Sequence, residues 1–329
     1  MPDTAPTPRR VLMLGATGTI GRATVAALAA RGHQVVCFTR PGAQGDPRRG
    51  LPEGVEIRTG DVTDAGSLAH DGFRGERFDA VVSCLASRTG APRDSWAIDH
   101  KAHSDALAAA RAAGVAQFVL LSAICVQKPD LEFQRAKLAF EDELMKSGLT
   151  WSIVRPTAFF KSLSGQVERV KQGKPFLLFG DGRLTACKPI SDADLGAYIA
   201  ECLDDPARQN AILPIGGPGP AITPLEQGEM LFGLLGKEPK FKHVPVAMMD
   251  VIITVLSTLG RVSPKLRAKA EFARIGKYYA TESMLVLDPA TGQYDADATP
   301  EAGTETLRDY YGRLIRGEET VDLGEHAMF

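Results

Sequence analysis

The sequence predicts an α/β fold, a doubly wound parallel sheet with a smaller C-terminal part, and three observations carry that expectation. Short, unbroken Val/Ile/Leu runs alternate with helical segments through the first two thirds of the chain, the pattern of strands buried on both faces. A glycine-rich turn sits directly between the first apolar run and the first helix. Beyond Arg155 the alternation loosens.

In order, 10–14 reads as a strand, 19–31 as a helix, 34–38 and 55–59 as further strands, and 80–84 as a fourth. A helix over 98–113 follows, then a strand over 118–122, a helix over 133–147 and a strand over 150–154. Later segments are expected to be helical at 161–172, 192–203, 244–259 and 264–277 and extended at 175–179, with a Gly- and Asp-rich tail after Leu287. Residues 1–9 read as a polar, disordered tail and not a signal peptide, 10–155 as a dinucleotide-binding core, and 156–329 as a mixed region that completes the sheet and forms a substrate-binding part.

Composition narrows the function classes. The chain has 329 residues, 44% hydrophobic and 24% charged, so a sizeable core is expected. Its net charge of −2 and scattered basic residues argue against a nucleic-acid partner. Five widely spaced cysteines without a CxxC argue against a disulfide framework or a zinc site and for a reducing, cytoplasmic setting. The apolar run 244–259 is too short to span a bilayer and carries Asp250 near its middle. A buried helix is the commoner outcome for such a run, and an interfacial one at a membrane surface is the alternative.

The first turn, VLMLGATGTIG, places Gly15, Gly18 and Gly21 between strand and helix, where backbone N–H groups of Thr17, Thr19 and Ile20 can cradle a pyrophosphate at the positive end of the helix. This is the context of a Rossmann-type fold. The second strand ends Cys37-Phe38-Thr39-Arg40 with no carboxylate to repel a 2′-phosphate, and Arg22 and Arg40 are placed to pair with one, so the cofactor is expected to be NADPH. Asp61 and Val62 follow the third strand, where an adenine would lie, and Cys84, Leu85 and Ala86 follow the fourth, beside the nicotinamide ribose.

After the fifth strand the order resembles the short-chain dehydrogenases, in which a serine precedes a Tyr-x-x-x-Lys helix. Here Ser122 is followed by Phe133-Gln134-Arg135-Ala136-Lys137, so the lysine is kept and phenylalanine stands in the tyrosine position. A phenyl ring has no ionisable proton, so ordinary carbonyl chemistry loses its acid–base group. Either catalysis is lost, or a different bond is reduced. Ser122 and Lys137 remain the catalytic candidates, with Lys137 either a ribose ligand or a helix partner of Glu141.

Three longer blocks are more specific than the glycines: SAICVQKPDLEFQRAKLAFEDEL (122–144), WSIVRPTAFFKSLSGQVERVKQGKPFLLFGDG (151–182) and the closing GEHAMF (324–329). They resemble the divinyl chlorophyllide 8-vinyl reductases, NmrA-like atypical short-chain dehydrogenases that use NADPH and share the phenylalanine. The resemblance implies reduction of the 8-vinyl group of a divinyl chlorophyllide or protochlorophyllide to ethyl, in chlorophyll or bacteriochlorophyll biosynthesis, at a site near a photosynthetic membrane. Two other readings stay open: a reductase of another conjugated alkene, and a non-catalytic NADP-sensing module.

A flat macrocycle needs a broad apolar pocket. Pro156 is expected to turn the chain over the nicotinamide, Phe133, Phe159 and Phe160 to contact the pigment, and Lys161 to meet its carboxylate. His100 and His103 share a helix face but are expected to be structural, with no metal held by the protein. Asp99 lies where a proton relay is conceivable, and Cys187 and Lys188 are expected to be structural.

Overall fold

The computed structural model describes residues 7–41, 46, 48–261 and 263–320. The closing GEHAMF block and the first six residues lie outside them. Seven parallel strands form one sheet in the order β3-β2-β1-β4-β5-β6-β8. They are β1 (Arg10–Leu14), β2 (Gln34–Thr39), β3 (Glu56–Thr59), β4 (Ala80–Ser83), β5 (Gln117–Leu121), β6 (Thr150–Pro156) and β8 (Ala211–Ile215). The order reverses between β1 and β4, which opens a crevice at the carboxyl edge between them.

Alternating strand residues build the two faces, as a pleat requires. Val11, Met13, Val35, Cys37, Val82 and Val154 pack under α1 (Thr19–Ala30) and α4 (Asp192–Glu201). Leu12, Leu14, Val36, Phe38, Phe118 and Ile153 pack under α2 (His103–Ala112) and α3 (Glu132–Met145) on the other side. Arg9, at the end of the expected tail, is held at the sheet's amino edge, where its guanidinium donates to Gln117 at 2.8 Å.

The C-terminal region departs from expectation in five places. The expected helix over 161–172 is two short ones, Phe160–Leu163 and Val167–Lys171, because Ser164-Gly165 is a poor helical interior. Helices α5 (Pro224–Leu234) and α8 (Leu307–Arg316) were not expected, the latter inside the supposed Gly/Asp-rich tail. Strand β8, hidden by its Pro214, closes the sheet as an edge strand, where proline is tolerated. A small two-stranded sheet pairs β7 (Phe176–Phe179) with β9 (Phe241–Val244). Finally α6 (Val246–Leu259) and α7 (Pro264–Thr281) pack on one another as a hairpin. No described residue of α6 is buried, so the core-helix expectation for this run is corrected.

Candidate active site

The residues expected to hold a cofactor fall on the turns after β1 to β4, on the first turn of α1 (residues 19–22), within α3 (Lys137) and at the end of β6 (Pro156). Gly15 leaves β1 with φ +79°, and a Cβ there would sit 2.6 Å from the Cys84 carbonyl carbon. A Cβ on Gly21 would lie 2.0 Å from the Gly15 carbonyl oxygen. Gly18 is different: it is exposed, and an added Cβ would make only an ordinary 3.5 Å contact. The amino end of α1 has no side-chain cap and no acidic residue in its first turn, so its free N–H groups and partial positive charge face open space. Thr17 and Thr19 border this end, while the Ile20 side chain is buried beneath it. The Arg22 Nε is buried with no hydrogen-bond partner. These residues fit a dinucleotide pyrophosphate.

Arg40 is exposed past β2. Its charge reaches Asp61, whose carboxyl is held below the usual range chiefly by hydrogen bonds from Thr63. Both of those bonds, at 2.8 and 2.7 Å, fall on Oδ1. An open cavity of about 590 Å³ lies here, lined by Pro41, Thr59, Gly60, Asp61, Ser67 and His70. The Val62 side chain is 4% exposed in the core, which leaves only its backbone for a ligand. Across the crevice, Cys84 and Leu85 are half-buried and Ala86 is exposed.

The catalytic candidates sit in two buried ionic clusters. Lys137 Nζ lies 3.0 Å from Asp99 Oδ1, with neither side chain more than 11% exposed. Lys137 therefore pairs with Asp99 and not with Glu141. Asp99 also accepts the Ser87 N–H at 3.3 Å, and its Oδ2 is buried without a hydrogen-bond partner. It belongs to a π-helical stretch, Trp96–Ala102, a local widening often found at functional sites. In the second cluster Ser122 donates its hydroxyl to Glu141, which also pairs with Arg155. Ser122, expected to act on substrate, is thus committed to a buried network that the sequence did not reveal.

Phe133 is 9% exposed and packs with Leu131, Cys125 and Tyr278, so the tyrosine position is filled by an apolar ring. The Tyr278 hydroxyl donates to the carbonyls of Cys125 and Lys128 at 2.9 and 3.0 Å. Pro156 ends β6. Phe159 is half-buried and pairs with Ile190. Phe160 is 2% exposed and packs on Tyr310, so its expected contact with pigment is corrected to a core position. Lys161 points back to the first helix, where Nζ donates to Thr19 Oγ1 at 3.2 Å.

The two helix histidines diverge. His100 pairs with Glu143 at 2.7 Å, while His103 is buried between Ser83 Oγ at 2.8 Å and the Ile98 carbonyl at 3.0 Å. Burial, with Lys137 beside it, pushes the His103 pKa down to about 4. Among the described residues no cluster of three or more His, Cys, Asp or Glu is placed to hold a metal. Lys188 is tied to Glu301 at 2.5 Å, and Cys187 bridges to Ile222 and Met284.

Residues 15–206 match a family described as NAD(P)H-binding. The divinyl chlorophyllide a 8-vinyl-reductase of Oryza sativa subsp. indica is 54% identical, over 99% of this chain and 83% of that one. The leucoanthocyanidin reductase of Vitis vinifera, solved with NADPH, superposes with a TM-score of 0.68 at 16% identity, over 93% of this chain and 99% of that one. The NADPH-dependent quinone oxidoreductase QOR2 of Escherichia coli, also solved with NADPH, gives 0.65 at 17% identity, with coverage of 93% and 99%.

Proposed function

This chain belongs to the divinyl chlorophyllide a 8-vinyl-reductase family, and from that premise we propose how its own residues carry the reaction. It is an NADPH-dependent oxidoreductase that reduces the 8-vinyl group of divinyl chlorophyllide a to ethyl in chlorophyll biosynthesis. Bound NADPH supplies the hydride.

Gly15, Gly18 and Gly21 shape the turn, and the amino end of α1 receives the pyrophosphate. Arg22 and Arg40 meet the 2′-phosphate, and Asp61 the adenine. Lys137, fixed from behind by Asp99, holds the nicotinamide ribose. The walls at Cys84–Ala86 and Phe159 face the reacting groups.

The observation that carries this reading is the disarming of carbonyl chemistry. Phenylalanine replaces the proton-shuttling tyrosine, and Ser122 spends its hydroxyl on Glu141. A carbonyl reductase would need both groups to steady and protonate an oxyanion. A vinyl group conjugated to a macrocycle spreads the charge left by hydride addition over its own π-system. No oxyanion donor is required, and an apolar wall such as Phe133 serves the pocket better than a hydroxyl. The test is to incubate purified protein with divinyl chlorophyllide and NADPH. We expect a blue-shifted Soret band and the monovinyl product; an unchanged chromatogram beside consumed NADPH rejects the substrate.

A peripheral position at a photosynthetic membrane is part of the same proposal. No described helix is long and apolar enough to cross a membrane. Yet α6 exposes Met248, Val251, Ile252, Val255 and Leu259 at helical spacing. Exposed Lys240, Lys242, Arg261, Arg267 and Lys269 lie on its flanks and on α7. An apolar stripe framed by cations suits the surface of an anionic bilayer, where a hydrophobic pigment would be collected.

A further inference from the structure

We propose that Lys161 is a ligand of the dinucleotide pyrophosphate, on its nicotinamide side, and not of the pigment carboxylate. The proposal rests on the cofactor reading above. Lys161 grows from the segment that follows β6, which is anchored on both sides of it. Phe159 and Phe160 pair with Ile190, and the Phe160 ring is sunk against Tyr310. From that root the ammonium crosses to α1 and donates to Thr19 Oγ1 at 3.2 Å, on the first residue of the helix.

Helices α1 and α4 frame this position. Helix α4 lies against α1 so closely that a Cβ on Gly196 would come within 2.6 Å of the Ala23 carbonyl carbon. Asp192, the first residue of α4, has a buried Oδ1 with no hydrogen-bond partner, and Lys161 is the cation that acts on it most. Among the described residues the lysine has a neutral hydroxyl as its hydrogen-bond partner and acts on one more remote carboxylate. A pyrophosphate seated on the amino end of α1 would offer it a stronger, charge-assisted bond. Through this bond, filling the cofactor site would fix residues 157–163, one wall of the substrate cleft.

The test is calorimetric titration of the full chain and its Lys161→Met variant with three probes: NADPH, 2′-phospho-ADP-ribose and adenosine 2′,5′-bisphosphate. The last lacks the nicotinamide-side phosphate. We expect the variant to bind the first two roughly tenfold to a hundredfold more weakly and the third unchanged. Unchanged NADPH affinity together with a raised KM for the pigment overturns the proposal in favour of a carboxylate ligand. Equal losses on all three probes overturn the placement on the nicotinamide side. Failure of the parent chain to bind NADPH rejects the cofactor reading itself. Should Lys161→Met fail to fold, Asp192→Asn serves. Removing the competing carboxylate should tighten NADPH severalfold, and no change or a loss contradicts the proposal.

Discussion

Gly15 and Gly21 are fixed by packing against backbone, whereas Gly18 has room for a side chain and none is needed there by the fold. We therefore expect Gly18→Val to keep the melting temperature of the parent and lose NADPH binding. Gly21→Ala should instead cost roughly 1–3 kcal/mol of stability, from a backbone clash. A fluorescence titration beside a melting curve separates the two. Arg40→Asp should weaken NADPH far more than NADH, because it replaces a charge-assisted phosphate contact with repulsion. Equal losses would remove Arg40 from the 2′-phosphate. His103 carries a pH signature. Its folded pKa, about 4, is below the ordinary value of 6.5, so the unfolded chain takes up the proton first as pH falls. That stability is complete above pH 6.5 and declines by about 3 kcal/mol towards pH 4. Burial of Asp192 lifts its carboxyl to about 6 and works in the opposite sense over the same window. The comparison is therefore made against His103→Gln, which should flatten the loss between pH 7 and 5; an unaltered slope contradicts the assignment. The placement of the glycines and Arg40 just past strands was legible, because it follows from strand ends alone. The partners of Lys137 and Ser122 were not, since Asp99, Glu141 and Arg155 meet them only through tertiary packing.

At the scale of elements, periodic apolar runs announced β1 to β6 and the helices between them. The unforeseen helices α5 and α8 are announced instead at their first turns. Thr223 and Glu226 form one capping box, with Pro224 behind the cap, and Thr306 and Asp309 form the other. Reading those caps would have recovered both. Helix α6 shows the opposite failure: its apolar run looked like core, but composition alone does not say whether anything lies over a face. If a lipid surface does, the protein should float with vesicles containing anionic phosphatidylglycerol and less with neutral phosphatidylcholine vesicles. Val251→Glu with Val255→Glu should abolish flotation while leaving NADPH affinity intact. Flotation that survives the double substitution would place the contact elsewhere.

For the whole molecule, the sheet gathers the ends of β1 to β6 along one edge, so residues from 15 to 156 converge on a single crevice at the strand-order reversal. Gly15, Arg40, Asp61, Cys84, Ser122 and Pro156 each sit just past or at the end of a strand, and that regularity made their common placement readable from sequence. The arrangement of α7, the β6–β7 segment and the α6 hairpin depends on long-range packing, with no local periodicity to signal it. The central claim is that a hydride passes from NADPH to the vinyl group across this crevice. It is tested most directly by supplying NADPH deuterated at both C4 positions with divinyl chlorophyllide and analysing the product by mass spectrometry. We expect one deuterium per molecule, located in the new ethyl group. A monovinyl product without deuterium, or label recovered elsewhere on the macrocycle, would contradict the claim.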